Sequence, residues 1–205
     1  MIRMRFRIVH VAAAVVVALI PLLQPMPARA HPHVWVTAEA TPETVDDRVT
    51  AIQLRWAFDP MLSAVLIQDF DRNADGRYDA DEQAALTAEL LKNMSEYGYF
   101  THVQVDASFV ELAGVDGMAA EIGDKVVTMT FRARLTEPVD PRKHRITIGV
   151  YDPEYYIAFD LPAASLHLNA PPLDLCRPVA REDTLNPIYF GYVNPEVIDV
   201  VCPAR

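Results

Sequence analysis

Apolar and polar residues alternate with a period of two along much of this chain. Ile52, Leu54, Trp56 and Phe58 alternate with Gln53, Arg55 and Ala57, and Val127, Met129, Phe131 and Ala133 repeat the pattern. That period belongs to strands with one face in a core. The pattern predicts strands over 34–40, 52–58, 99–105, 109–112, 126–135, 146–151, 155–159 and 165–168. Turn residues separate them: Gly114, Asp116-Gly117, Gly123-Asp124, Asp140-Pro141 and Asp152-Pro153.

The period changes after Phe58. Asp59 is a helix-capping residue and Pro60 suits the first helical position. Residues 61–70 read as one helix and 81–97 as a second, with Leu86, Leu90, Leu91 and Met94 on one face and Gly98 as the stop. The expected fold is mainly β with a helical insertion (α+β). It is an antiparallel β-sandwich, Ig-like, with an EF-hand-like helix–loop–helix inserted at about 60–97.

The first thirty residues read as an export signal. Arg3, Arg5 and Arg7 precede a short apolar run over 11–23, and Ala28-Arg29-Ala30 is an A-x-A cleavage site. The run is short for a membrane span, and Pro21 interrupts it. Residues 31–205 are then one domain, expected in the periplasm with no membrane span after cleavage. Cleavage removes four arginines and no acids. It leaves 14 basic residues against 28 acids, so the formal charge moves from −10 to −14. An acidic surface disfavours nucleic acid and anionic lipid and favours cations and basic surfaces.

Cys176 and Cys202 are the two cysteines. In an exported chain an even count suggests a disulfide. It would staple a proline-rich tail and stabilise by about 3.5 kcal/mol in the chain-entropy description.

The sharpest chemical signal is the stretch from Asp71 to Glu82. Asp71, Asn73, Asp75, Asp79 and Glu82 occupy positions 1, 3, 5, 9 and 12 of a twelve-residue loop, with Gly76 at position 6. A Ca²⁺ ion takes six to eight oxygen ligands, and this spacing gathers them around one sharp turn. Arg77, at position 7, would bind through its carbonyl. The competing reading is an acidic loop that caps the second helix.

After cleavage behind Ala30 the chain begins His31-Pro32-His33. A free amine and imidazole on His31, with His33 nearby, form a nitrogen set suited to Ni²⁺, Co²⁺, Zn²⁺ or Cu²⁺. The square-planar terminal motif is excluded, because it needs the amide of residue two and Pro32 has none. The competing reading is a pair of terminal histidines without a metal role. His102 reads as a half-exposed strand residue and His167 as solvent-facing. His144 sits among Arg142, Lys143 and Arg145, a poor setting for a cation. Asp152 and Glu154 read as turn residues, with a lesser part as ligands completing the histidine site.

Five short segments occur in a fixed order: His31-Pro32-His33-Val34-Trp35-Val36, Trp56-Ala57-Phe58-Asp59-Pro60, the acidic loop from Asp69 to Gly76, Tyr97-Gly98-Tyr99-Phe100-Thr101, and Tyr151-Asp152-Pro153-Glu154-Tyr155-Tyr156. Together they resemble the DUF1007 family of bacterial exported proteins. That resemblance implies a periplasmic component of an ABC-type transport system, associated with nickel, cobalt or zinc, and with a membrane transporter subunit as partner. The chain is too short for a two-lobed protein that closes around a solute.

Three functions follow. The leading one is a metal-handling accessory protein with a structural calcium site, not an enzyme. The second is an interaction module ordered by calcium. The third is a copper oxygenase with an N-terminal histidine brace. No G-x-S-x-G or H-E-x-x-H motif appears, and no cysteine remains outside the expected disulfide.

Overall fold

A computed structural model describes residues 32–203; the export signal and His31 lie outside the described residues. Among the described residues ten strands form two five-stranded sheets. They are β1 (Val34–Val45), β2 (Arg48–Phe58), β3 (Thr101–Val105), β4 (Ser108–Val110), β5 (Leu112–Gly123), β6 (Val126–Val139), β7 (Ile146–Val150), β8 (Ile157–Asp160), β9 (Arg177–Glu182) and β10 (Glu196–Val201). The first sheet runs β5-β6-β2-β1-β8 and the second β4-β3-β7-β10-β9. Inward residues of both, among them Ile52, Leu54, Trp56, Phe131, Ile146, Ile148 and Ile198, belong to one hydrophobic cluster.

The alternation read in β2 and β6 is realised: Leu54 pairs with Phe131 and Trp56 with Met129. Trp56 is the hub of the core, edge-on to Phe131 at 4.8 Å and to Phe159 at 4.9 Å between ring centroids.

Three expectations need correction. The pairing is not all antiparallel, because β8 runs parallel to β1 from Val34↔Ile157 to Thr37↔Asp160. The turn expected at Gly114 and Asp116-Gly117 is absorbed into β5 by two register shifts, between Leu112 and Gly114 and between Asp116 and Ala119. A bulge takes up residues that a regular ladder cannot hold, so glycine there need not end the strand. Residues 165–168 form no strand; Leu166 makes a single bridge to Ala40. The proline-rich tail, where the alternation predicted no strand beyond residue 168, supplies β9 and β10.

Two helices separate β2 from β3: α1 (Pro60–Phe70) and α2 (Ala80–Ser95). Asp59 caps α1 through Oδ1, which accepts from the amides of Met61 and Leu62. Asp79 caps α2 with Glu82 in a reciprocal capping box. Leu86, fully buried, carries α2 into the core. The helix is also tied to the free edge of the first sheet. The Gln83 side-chain amide donates to the Ala120 carbonyl at 3.1 Å, and its oxygen accepts from the Ala120 amide at 3.0 Å. The side chain thus does for β5 what a neighbouring strand would do.

The cysteines are joined as Cys176–Cys202. The bridge lies just beyond the paired ends of β9 and β10, where Val201 faces Arg177.

Candidate functional site

The loop between α1 and α2 folds around its own acids. Asp71 accepts from the amides of Asp75 (Oδ1, 3.1 Å) and Gly76 (Oδ2, 3.0 Å). Asn73 accepts from the Asp75 amide at 2.9 Å and Asp75 from the Arg77 amide at 2.9 Å. Asp79 accepts from the amides of Asp81 and Glu82 at 2.9 Å. Glu82 reaches back across the loop: Oε1 accepts from the Arg72 amide at 2.7 Å and Oε2 from the Asp79 amide at 3.0 Å. Gly76 sits at φ +79, a conformation only glycine adopts without strain.

Burial divides these residues. Asp71 is 7% exposed and Glu82 is 3% exposed, while Asn73, Asp75, Arg77 and Asp79 are exposed. Among the described residues neither Asp71 nor Glu82 has an ion-pair partner. A buried carboxylate without an ion-pair partner is costly, even with amides bonded to it. Tyr78, between them in sequence, has its hydroxyl buried without a hydrogen-bond partner. Burial first, then the charges of Asp71 and Glu82, push its pKa up to about 12.

Among the described residues, no three His, Cys, Asp or Glu side chains converge as a ready metal site. In donor chemistry the loop nevertheless fits a hard cation. Asp71, Asn73, Asp75, Asp79 and Glu82 offer side-chain oxygen, and Arg77 its carbonyl. A carboxylate has about four lone-pair positions, so the amide bonds leave acceptor capacity on each.

Among the described residues the histidines are dispersed. His33 is exposed and its ring lies 4.8 Å from that of Tyr156. His102 stacks on Tyr151 at 3.8 Å, with Nε2 bonded to the Tyr151 carbonyl at 3.0 Å. His144 pairs with Asp106 at 2.6 Å, and His167 lies 3.5 Å from Glu39. Asp152 is buried and caps its own turn, accepting from the amides of Glu154, Tyr156 and Ile157. The reading of Asp152 as a turn residue therefore describes its bonding.

Burial holds the His102 pKa below its ordinary 6.5, against the Tyr151 carbonyl and the Asp152 charge. The unfolded chain then takes up the proton first as pH falls below 6.5, so this histidine removes stability on acidification. Replacing His102 by Gln, which can still donate to the Tyr151 carbonyl, should flatten the fall in melting temperature between about pH 7 and 5. An unchanged slope in thermal melts across that range would place the acid sensitivity elsewhere.

Four of the five sequence motifs meet at one end of the two-sheet body. The Trp35 amide donates to Asp59 Oδ2 at 2.9 Å, and the Asp59 amide donates to the Trp35 carbonyl. The His33 amide donates to the Tyr156 carbonyl, and the Tyr151 amide to that of Phe100. Tyr97 stacks on Phe100 and its hydroxyl bonds Glu154, whose charge is the main cause of its raised pKa. The helix–loop–helix, which carries the fifth motif, joins this end where α2 runs into Tyr97. The motif order in sequence gave no sign of this meeting.

The family model described as a protein of unknown function (DUF1007) matches residues 16–185. The chain belongs to the DUF1007 family. It is 28% identical over 91 residues to an uncharacterized 15.5 kDa protein in the trpE 3'region of Spirochaeta aurantia, covering 44% of this chain and 64% of that protein. It is 23% identical over 139 residues to an uncharacterized protein of Haemophilus influenzae, covering 66% of this chain and 65% of that one. The chain thus spans just under two thirds of the length of these relatives. The family match stops at residue 185, before β10 and Cys202.

Proposed function

We propose that this DUF1007 protein is a non-enzymatic accessory protein of the periplasm, built as an Ig-like sandwich, whose EF-hand-like loop binds Ca²⁺. The observation that carries the reading is that Asp71 and Glu82 are both buried in the loop and, among the described residues, have no ion-pair partner. Asp71, Asn73, Asp75, Asp79 and Glu82 would hold the ion with side-chain oxygens and Arg77 with its carbonyl. Calcium, when bound, would supply the ion-pair partner that Asp71 and Glu82 lack among the described residues. Glu82 links the loop to α2 through the capping box, and α2 links it to β5 through Gln83. The ion's role is therefore to order the insertion. At roughly millimolar extracellular calcium even a modest site fills. The disulfide supports an oxidising compartment. Calorimetric titration of chelator-treated protein should show one Ca²⁺ per chain; heat no larger than dilution up to about 1 mM would overturn the reading.

Transition-metal handling beside a nickel, cobalt or zinc transporter is the second reading. It rests on His31, which lies outside the described residues, and on the exposed ring of His33. An alanine added before His31 of the mature chain is expected to weaken Ni²⁺, Co²⁺, Zn²⁺ or Cu²⁺ binding while calcium binding stays the same. If both affinities hold, the terminal amine is not a ligand.

A further inference from the structure

The end of the body where the motifs meet has an unusual composition. Segments 33–37, 59–62, 96–101, 150–162 and 185–196 carry seven of the eight tyrosines and no lysine or arginine. Hydrogen bonds and ring contacts bring them together. Besides the links already described, the Tyr189 amide donates to the Pro153 carbonyl, and the Tyr155 and Tyr189 rings lie 6.0 Å apart. Several of these aromatic side chains are displayed to solvent: Phe190 is 93% exposed, Tyr192 83%, Trp35 55% and Tyr156 49%. Interspersed with them are the exposed acids Glu96, Glu154, Asp160 and Glu196. Among the described residues none of these four has an ion-pair partner.

The display is held in costly backbone. Gly98, Tyr99 and Phe100 run at φ 60, 55 and 51, and Tyr189, Phe190 and Gly191 at φ 49, 57 and 87; Tyr155 lies between the two turns at φ 56. A non-glycine residue pays about 1–2 kcal/mol for the left-handed conformation. Such strain persists only where surrounding bonds impose it, and it gathers at functional surfaces. Here those bonds are Phe100–Tyr151, Tyr155–Asp152 and Tyr189–Pro153. Rings fixed in this way lose little freedom when something packs on them.

We propose that this end is a docking surface for an arginine-bearing segment of a partner protein. Its segments carry aromatic rings and acids but no lysine or arginine. A guanidinium stacks on aromatic faces and binds carboxylates with its fork of donors, whereas an ammonium does the second less well. An anionic bilayer is the other taker of exposed aromatics. The four acids repel it, and the five segments carry no lysine or arginine to offset them.

The test uses calcium-saturated full-length mature protein and a fluorescein-labelled hexa-arginine peptide, read by anisotropy. Hexalysine and hexaglutamate peptides are run beside it, with vesicles of zwitterionic and of anionic phospholipid. Hexa-arginine is expected to bind several-fold more tightly than hexalysine, and hexaglutamate and both vesicles not at all. Phe190→Ser with Tyr192→Ser should weaken hexa-arginine about tenfold, as should Glu154→Gln with Glu196→Gln. Glu121→Gln with Glu137→Gln, which removes the same charge elsewhere, should change affinity less than twofold. All three double variants should melt with the unsubstituted protein, since the altered side chains are exposed. Absence of hexa-arginine binding overturns the proposal, as does equal weakening by the three variants. Binding to vesicles but not peptide makes the surface a lipid site.

Discussion

Glu82→Gln is expected to remove the calcium-dependent part of this protein's thermal stability and little else. A ligand present at a hundred times its Kd stabilises the folded state by about 2.7 kcal/mol. For a domain of this size that is a rise of about 5–11 °C in Tm. The substitution keeps the shape of the side chain and deletes the charge. With calcium, the variant should lose most of that rise. In chelator the comparison differs. Glu82 also accepts from the amides of Arg72 and Asp79, and Gln can serve only one side of that arrangement with oxygen. Weakening the capping box costs about 1 kcal/mol, while loss of an unpaired buried charge works in the opposite direction. The two chelator melts should therefore agree within about 4 °C. Equal deficits with and without calcium would show that Glu82 acts only as a capping residue.

The second large effect is expected at the disulfide. Cys176 and Cys202 are 26 residues apart, and a loop of that length corresponds to about 3.5 kcal/mol of chain entropy. The pair also secures β9 against β10, and β10 lies between β9 and β7 in the second sheet. Cys176→Ala with Cys202→Ala should lower Tm by about 7–14 °C. Reductant should bring the unsubstituted protein down to the same value. A double variant that melts within about 2 °C of the parent would mean that the tail separates before the body unfolds.

Much of the body can be read from alternation. β2 and β6 carry the cleanest pattern, and they face each other at the centre of the first sheet. Asp59-Pro60 marked the start of α1 because capping is local chemistry. β1 extends to Val45, through Pro42. A proline is admissible there because β8 pairs only as far as Thr37, leaving an open edge beside Pro42. β10 was hidden by the prolines around it and by a run, Val197 to Val201, that is nearly all apolar rather than alternating. β9 was hidden by its own Pro178 and its charges.

The candidate sites differ in the same way. The oxygen ligands of the loop lie within twelve residues, so their spacing could be read directly. The missing counter-charge of Asp71 and Glu82 could not, since burial depends on α2 docking through Leu86 and Gln83. The aromatic end comes from five stretches between His33 and Glu196 and exists only after pairing. Its sole trace in the sequence is the recurrence of tyrosine beside glycine, at 97–99 and again at 189–192.

The Gln83–Ala120 link bears on how this protein keeps to itself. β5 is an outermost strand, and outermost strands invite foreign chains to add on and begin aggregates. With Gln83 in place, the amide and carbonyl of Ala120 are both engaged. Detachment of the second helix would leave that pair open to recruit another molecule, so conditions that loosen the insertion are also those in which clumping should begin.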